Sequence, residues 1–266
     1  MHRLFVVATV LVGCSTAAAP APDIEVDAAP IAVDAPPPSP ALWVLTHDGM
    51  ANWLYRVDPT SFAIEREVRL GGTVALWELA GTGDGIAYTI DRDSDLLVTI
   101  DLEAGSITGY VHLGGDMQMN GRGFAVTAGG ALLGDFAGTL EQIDPATGAL
   151  SHPMTLEQGT RTESLESCGG QLYSAARESG SPRGERLYRV NTSTGGATLV
   201  AQIGTTAVDI DTLACSNGRL LGVDSDPVLG RTIFEIDPTT ASSTPRADLP
   251  VAGTINGLHV TVPAAQ

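Results

Sequence analysis

One short strand is written five times along this chain. LYRVDP (54–59), LVTID (97–101), LEQID (140–144), LYRVN (187–191) and IFEIDP (233–238) share an apolar run closed by Asp or Asn, and those closing residues are spaced 43, 43, 47 and 46 apart. The clearest copy, LEQIDPATG (140–148), reads as a strand followed by a fixed turn: Pro145 presets φ, the Asp144 carboxylate reaches backbone two residues on, and Gly148 accepts positive φ where the next strand leaves. Other strands keep the same beat. Each copy follows a strand ending near an acid (86–91, 220–224) and precedes a variable strand (62–70, 106–113). A further strand opens each cycle, at 74–79, 119–126, 162–167 and 208–214. Four strands in a period of this length make the blade of a propeller.

The ends of the repeat array support a closed ring. The stretch after Asp237 and the stretch before Asp58 are partial copies that together make one more period, and residues 254–262 resemble an opening strand with no successors. They are predicted to pair beside residues 42–46, so that the first blade takes three strands from the amino-terminal side and one from the carboxyl-terminal side. Such a latch protects strand edges that an open ring leaves bare. A two-sheet sandwich also uses many short strands but does not account for the period. The expectation is all-β: a five-bladed β-propeller over residues 41–266, its first blade closed by the C-terminal strand.

The balance of 31 acidic to 14 basic residues, a formal charge of −17, excludes a nucleic-acid binder, whose affinity rests on clustered cations. Every basic residue is Arg, so chemistry through a lysine Schiff base is excluded as well. Residues 4–12 are an apolar core behind His2 and Arg3, a secretory signal too short to span a bilayer. Leu11-Val12-Gly13-Cys14 resembles the lipobox of bacterial lipoproteins, which implies a signal peptide over 1–14 and a lipid on Cys14; the alternative is an ordinary signal cleaved in the Ala17-Ala18-Ala19 run. By the same resemblance Ser15, standing where Asp favours inner-membrane retention, implies the outer membrane, facing the periplasm or the surface. Residues 15–40 are rich in Ala, Pro and Asp without an apolar face and read as a disordered tether.

The stretch LVTIDLEAGSITGYVHLGG (97–115), together with LEQIDPATG, resembles the repeats of YncE-like and YVTN-type propellers of the quinoprotein-like superfamily. That resemblance implies an extracytoplasmic propeller and carries no catalytic site with it. Those relatives commonly have seven blades where this chain has residues for five. The repeated tryptophan motif of quinone-dependent enzymes is missing, for Trp43, Trp53 and Trp77 all fall in the first two periods.

Candidate site residues come from the opening strands, which converge on the axis of a propeller. Two positions before the recurrent apolar residue stand Trp77, Arg122, Glu163, Asp211 and Asn256; two further back, Arg161 and Asp209 join them. Carboxylates, arginines and an aromatic platform in one ring suit a polar ligand, while pairing of Arg122 and Arg161 with the acids suits a structural lock between blades. Glu163 and Asp211 also form the acid and base pair that a glycan hydrolase needs. Asp91, Asp93 and Asp95 alternate like a calcium loop, but Leu96 and Leu102 stand where an EF-hand requires Gly and Glu, which leaves a looser Ca2+ site or a solvated acidic turn. Cys168 and Cys215 occupy matching places in successive periods and form either a disulfide in an oxidising compartment or two buried thiols. No other cofactor is implied. The expected role is a non-catalytic binding or interaction module at the cell envelope, taking an unidentified envelope protein or small polar ligand and touching the membrane through its anchor alone; a glycan hydrolase or a purely structural component are the alternatives.

Overall fold

A computed structural model describes residues 39–72, 75–91, 93–114, 123–156, 161–177, 185–204, 210–224 and 231–261, with Arg161 described through its backbone only. All of them belong to one unit, Pro38–Gln266. Strands run in chain order as β1 (Ala41–His47), β2 (Asn52–Val57), β3 (Ile64–Gly71), β4 (Leu76–Gly81), β5 (Ile86–Asp91), β6 (Leu96–Asp101), β7 (Ser106–His112), β8 (Phe124–Val126), β9 (Leu132–Phe136) and β10 (Thr139–Ile143). They continue as β11 (Leu150–Thr155), β12 (Arg161–Cys168), β13 (Gln171–Arg177), β14 (Glu185–Val190), β15 (Ala197–Gln202), β16 (Ile210–Ser216), β17 (Arg219–Asp224), β18 (Thr232–Ile236), β19 (Ser243–Asp248) and β20 (Thr254–Thr261). Among the described residues there is no helix.

These strands form five antiparallel four-stranded sheets, the blades of a propeller. Blade I has the order β20-β1-β2-β3, blade II β4 to β7, blade III β8 to β11, blade IV β12 to β15 and blade V β16 to β19. The inner strands touch in a closed cycle, β4 with β8, β8 with β12, β12 with β16, β16 with β20 and β20 with β4. The latch is as the sequence implies: Ala41 pairs with Thr261 and Val44 with Leu258.

The recurrent Asp or Asn works as the repeat suggests. In blade III, Asp144 Oδ1 accepts the Ala146 N–H at 2.9 Å and Gly148 N–H closes onto Asp144 O at 2.7 Å, with Gly148 at φ +70°. Asp58, Asn191 and Asp237 accept turn amides in the same way. Hydrogen bonds from those amides hold the carboxyls of Asp58, Asp144 and Asp237 below the usual carboxylate range. Each turn packs on the end of the preceding blade. A Cβ at Gly148 would lie 1.9 Å from His112 O, and one at Gly195 would lie 2.4 Å from Thr155 O.

Alternation along each strand sends apolar side chains to both faces of every sheet, because a blade is covered on both sides by its neighbours. The described residues accordingly gather into five apolar clusters, one in each gap between blades. Leu79 meets Trp43 and Leu54 between blades II and I, and Leu213 meets Leu187 between V and IV.

Candidate functional site

The inner strands do not run straight. Register slips between Thr162 and Ser164 in β12, between Ile210 and Thr212 in β16, opposite Leu45 and Thr46 in β20, and between Trp77 and Ala80 in β4. Glu163, Asp211 and Asn256 are the extra residues at three of these slips. A bulge re-aims side chains and bends the strand, and four inner strands bulge at the same level of the ring.

The residue immediately before the recurrent apolar position faces the axis. Around the ring it is Glu78, Gly123, Ser164, Thr212 and Gly257, one long acid among four small residues. Glu78 adopts φ +59° and is 4% exposed. Its Oε2 accepts the Ser164 hydroxyl at 3.3 Å and the Thr212 hydroxyl at 3.5 Å. Those hydroxyls accept in turn from the next blade: Leu213 N–H donates to Ser164 Oγ at 3.0 Å, and Leu258 N–H to Thr212 Oγ1 at 3.1 Å. One carboxylate therefore gathers hydrogen bonds that link blades I, II, IV and V. The small residues are required: a Cβ at Gly257 would stand 2.7 Å from the Glu78 carbonyl carbon, and one at Gly123 2.5 Å from Leu165 Cγ. Glu78 on blade II thus spans the axis to blades IV and V at this level.

Beside this plug lies a second acidic group. Glu185, fully buried at the start of β14, accepts the Ile210 N–H at 2.5 Å and faces Arg177 at 3.5 Å. Burial pushes its carboxyl well above the usual range, and the nearby charges of Asp211 and Glu163 push the same way against Arg177. Asn52, at the equivalent place in blade I, does the same work without charge: its Oδ1 accepts Leu76 N–H at 3.0 Å, and its Nδ2 donates to Gly71 O. Asp135 on β9 is raised by burial despite hydrogen bonds from Thr162 and Gly138. His259 on β20 is buried with Nε2 unpartnered, its ring over Gly81, and burial pulls its pKa down to about 4.

Of the residues singled out in the sequence, Glu163 and Asp211 are the extra residues of neighbouring inner-strand slips, and the charges of both are felt at Glu185. Asn256 lies with Trp77 at the start of β4, where its Nδ2 donates to Leu76 O at 2.9 Å. Arg122, Asp209 and Cys14 lie outside the described residues, as does the side chain of Arg161. Asp91 Oδ1 accepts the Asp93 and Ser94 amides in a turn between β5 and β6, and Asp95 stands at φ +52°. Among the described residues no three His, Cys, Asp or Glu side chains are grouped to hold a metal ion. Cys168 and Cys215 are joined in a disulfide between the inner strands of blades IV and V, with a Cα separation of 5.3 Å. Glu78, Glu185 and Asn52 escape the sequence reading. Counting back two from Leu79 lands on Trp77, whereas the size pattern Glu, Gly, Ser, Thr, Gly one position later carries the signal.

Away from the axis, a cleft of about 730 Å³ opens between blades III and IV, lined by Leu133, Gln142, His152, Met154, Leu172 and Ser193 among others. A smaller one of about 430 Å³ lies between blades V and I and is flanked by the Arg246–Glu235 and Arg219–Asp237 ion pairs.

No family model matches the sequence, and no curated protein matches it. Among solved structures, the chain is similar to a Bacteroides caccae protein of unknown function at 13% identity, with 84% of this chain and 99% of that one covered and a TM-score of 0.51. A chain of a nidogen/laminin complex is similar at 11% identity, with the same two coverages and a TM-score of 0.54. Glutaminyl cyclase from Myxococcus xanthus aligns at 16% identity over 68% of this chain and 88% of its own, with a TM-score of 0.49. At these identities the likeness to the first two extends to the fold alone, which in this chain is the β-propeller.

Proposed function

We propose that the propeller is a non-catalytic binding module, carried at the bacterial cell envelope on a lipid at Cys14 and a Pro/Ala/Asp-rich tether. The observation that carries this reading is the plug at Glu78. A hydrolase working at the channel mouth needs an open groove with two carboxylates opposed across the scissile bond and room for water. Here Glu78 reaches across the ring to Ser164 and Thr212, Glu163 is 3% exposed, and the charges of Glu163 and Asp211 both act on the buried Glu185. What is left for recognition is the rim, the interblade clefts and the outer edges. The net charge of −17 favours a basic or neutral partner.

Three measurements test the proposal. Purified protein incubated with envelope glycans is expected to release no product; turnover that Glu163→Gln or Asp211→Asn removes would establish the hydrolase instead. Crosslinking of the lipidated protein in detergent-solubilised envelope is expected to retrieve a partner that residues 15–40 on an inert carrier do not retrieve, whereas an empty retrieval favours a structural component. Labelling with radioactive palmitate is expected for the native chain and is lost in Cys14→Ser; label retained in that variant excludes the anchor.

A further inference from the structure

The outer strand of each blade has a free edge, and its unpaired backbone donors and acceptors recruit other strands unless charge, proline or a bulge blunts them. All five outer strands carry a register slip against the strand inside them. Three are blunted further. β3 carries Glu65, Arg66, Glu67 and Arg69, β11 carries Pro153, and β19 carries Pro245, Arg246 and Asp248. β7 (SITGYVH) and β15 (ATLVAQ) carry no proline, carboxylate or guanidinium. Of the three large apolar side chains that stand exposed among the described residues, Tyr110 is on β7 and Leu199 on β15.

Of these two edges β15 is the barer. β7 is interrupted by Gly109, and the turn that leads into it carries Glu103. β15 has no glycine, and the sequence is uncharged from Asn191 through Val208. Behind it on β14, Arg186 stands opposite Gln202 and Arg189 opposite Thr198, while Glu185, the one acid of β14, is fully buried. β14 and β15 thus present no exposed carboxylate, on a molecule whose formal charge is −17. That charge pattern selects the occupant. A basic segment meets Arg186 and Arg189, an acidic one meets the field of the whole molecule, and a second copy brings the same neutral strand. The strand also matches itself when reversed: Leu199 falls opposite Val200 and Thr198 opposite Ala201, so that apolar side chains meet at the middle.

We propose that two copies of this chain pair β15 to β15, antiparallel across a two-fold axis, and so join two blades IV into one eight-stranded sheet. Such a contact uses one self-complementary patch twice. A strand of six residues on each side buries less than the roughly 1,600 Å² of a standard interface, so the dimer is a weak one, held by main-chain hydrogen bonds and by the meeting of Leu199 with Val200. Elsewhere on the surface two copies repel each other, which confines the pairing to this edge. The dimer is separate from partner binding at the rim or in the clefts, and its failure leaves the binding-module reading standing.

The test is sedimentation equilibrium of the full-length chain in density-matched detergent. A monomer–dimer equilibrium is expected, tighter by about fivefold or more as salt rises from about 0.05 to about 0.5 M, because screening relieves the repulsion between two acidic bodies. Leu199→Lys sets two like charges beside the two-fold axis, at an exposed position, and is expected to weaken the dimer by about tenfold or more, whereas Tyr110→Lys on the β7 edge leaves it unchanged. Leu199→Cys in oxidised envelope is expected to give a covalent dimer that Tyr110→Cys does not give. A chain that stays monomeric up to about 0.1 mM, a dimer that weakens as salt rises, or a folded Leu199→Lys protein that pairs as before each overturn the proposal. Crosslinking of Leu199→Cys to a different polypeptide overturns it as well and assigns the edge to another protein.

Discussion

His259 and Glu185 give the stability of this protein opposite slopes in pH. The buried imidazole ionises near 4 in the fold and near 6.5 when exposed, so between those values the unfolded chain binds more protons. Stability supplied by the neutral ring is complete above pH 6.5 and is lost as pH falls toward 4, by up to about 3 kcal/mol at 1.36 kcal/mol per unit. For Glu185 the fold holds the proton more tightly than the unfolded chain, so its contribution is complete below the ordinary carboxylate range and is lost as pH rises through its elevated folded value. Between pH 7 and pH 4 the urea midpoint of the native protein is expected to drop more steeply than that of His259→Leu, in which the opposing slope of Glu185 remains. At Glu78, replacement by Ala strips the acceptor from the Ser164 and Thr212 hydroxyls inside a dry site, with an expected cost of about 2–4 kcal/mol in urea unfolding. Gly148→Ala drives a methyl into His112 O, whereas Gly138→Ala, also at positive φ but with open space around it, meets only backbone strain of about 1–2 kcal/mol. The Gly148 variant is therefore expected to melt well below the Gly138 variant.

At the scale of strands, the sequence shows the blades more plainly than the ring they form. Period, turn chemistry and apolar alternation are local properties, and they place all five copies of the third strand and the pairing of β20 with β1. A bulge is not local. Nothing in LWELAG says that Glu78 and Leu79 together oppose Thr89, since the slip is set by how five inner strands crowd one axis, and so Trp77 draws the attention due to Glu78. Glu185 is hidden for a related reason: its use is to receive the first amide of the next blade, a contact with Ile210 twenty-five residues on. The disulfide is half legible, because matching places in successive periods bring Cys168 and Cys215 near but only the packing of β12 on β16 brings their Cα atoms to 5.3 Å. It closes a loop of 47 residues in sequence separation, for which loop entropy gives up to about 4 kcal/mol. Cys168→Ser/Cys215→Ser is expected to lower the urea midpoint by a corresponding amount, and added reductant is expected to leave that variant unchanged.

As a whole, the propeller is a cycle whose only covalent gap is bridged by hydrogen bonds between β1 and β20. Deleting residues from 254 onward bares the edge of β1 and takes Ile255, Leu258 and Val260 out of the cluster between blades I and V, so the truncated chain is expected to elute as aggregates in size-exclusion chromatography rather than as a smaller monomer. The plug depends on the same strand, for Leu258 N–H ends the chain of hydrogen bonds that begins at Glu78. The pairing of the first described strand with the last also sets a timetable. On the ribosome, blades II to V have all their strands before β20 exists, yet blade I stays one strand short and the axis unsealed until Thr261 has emerged. The chain thus spends its synthesis as an incomplete ring, with the apolar gap between blades I and V uncovered until its last strand is made.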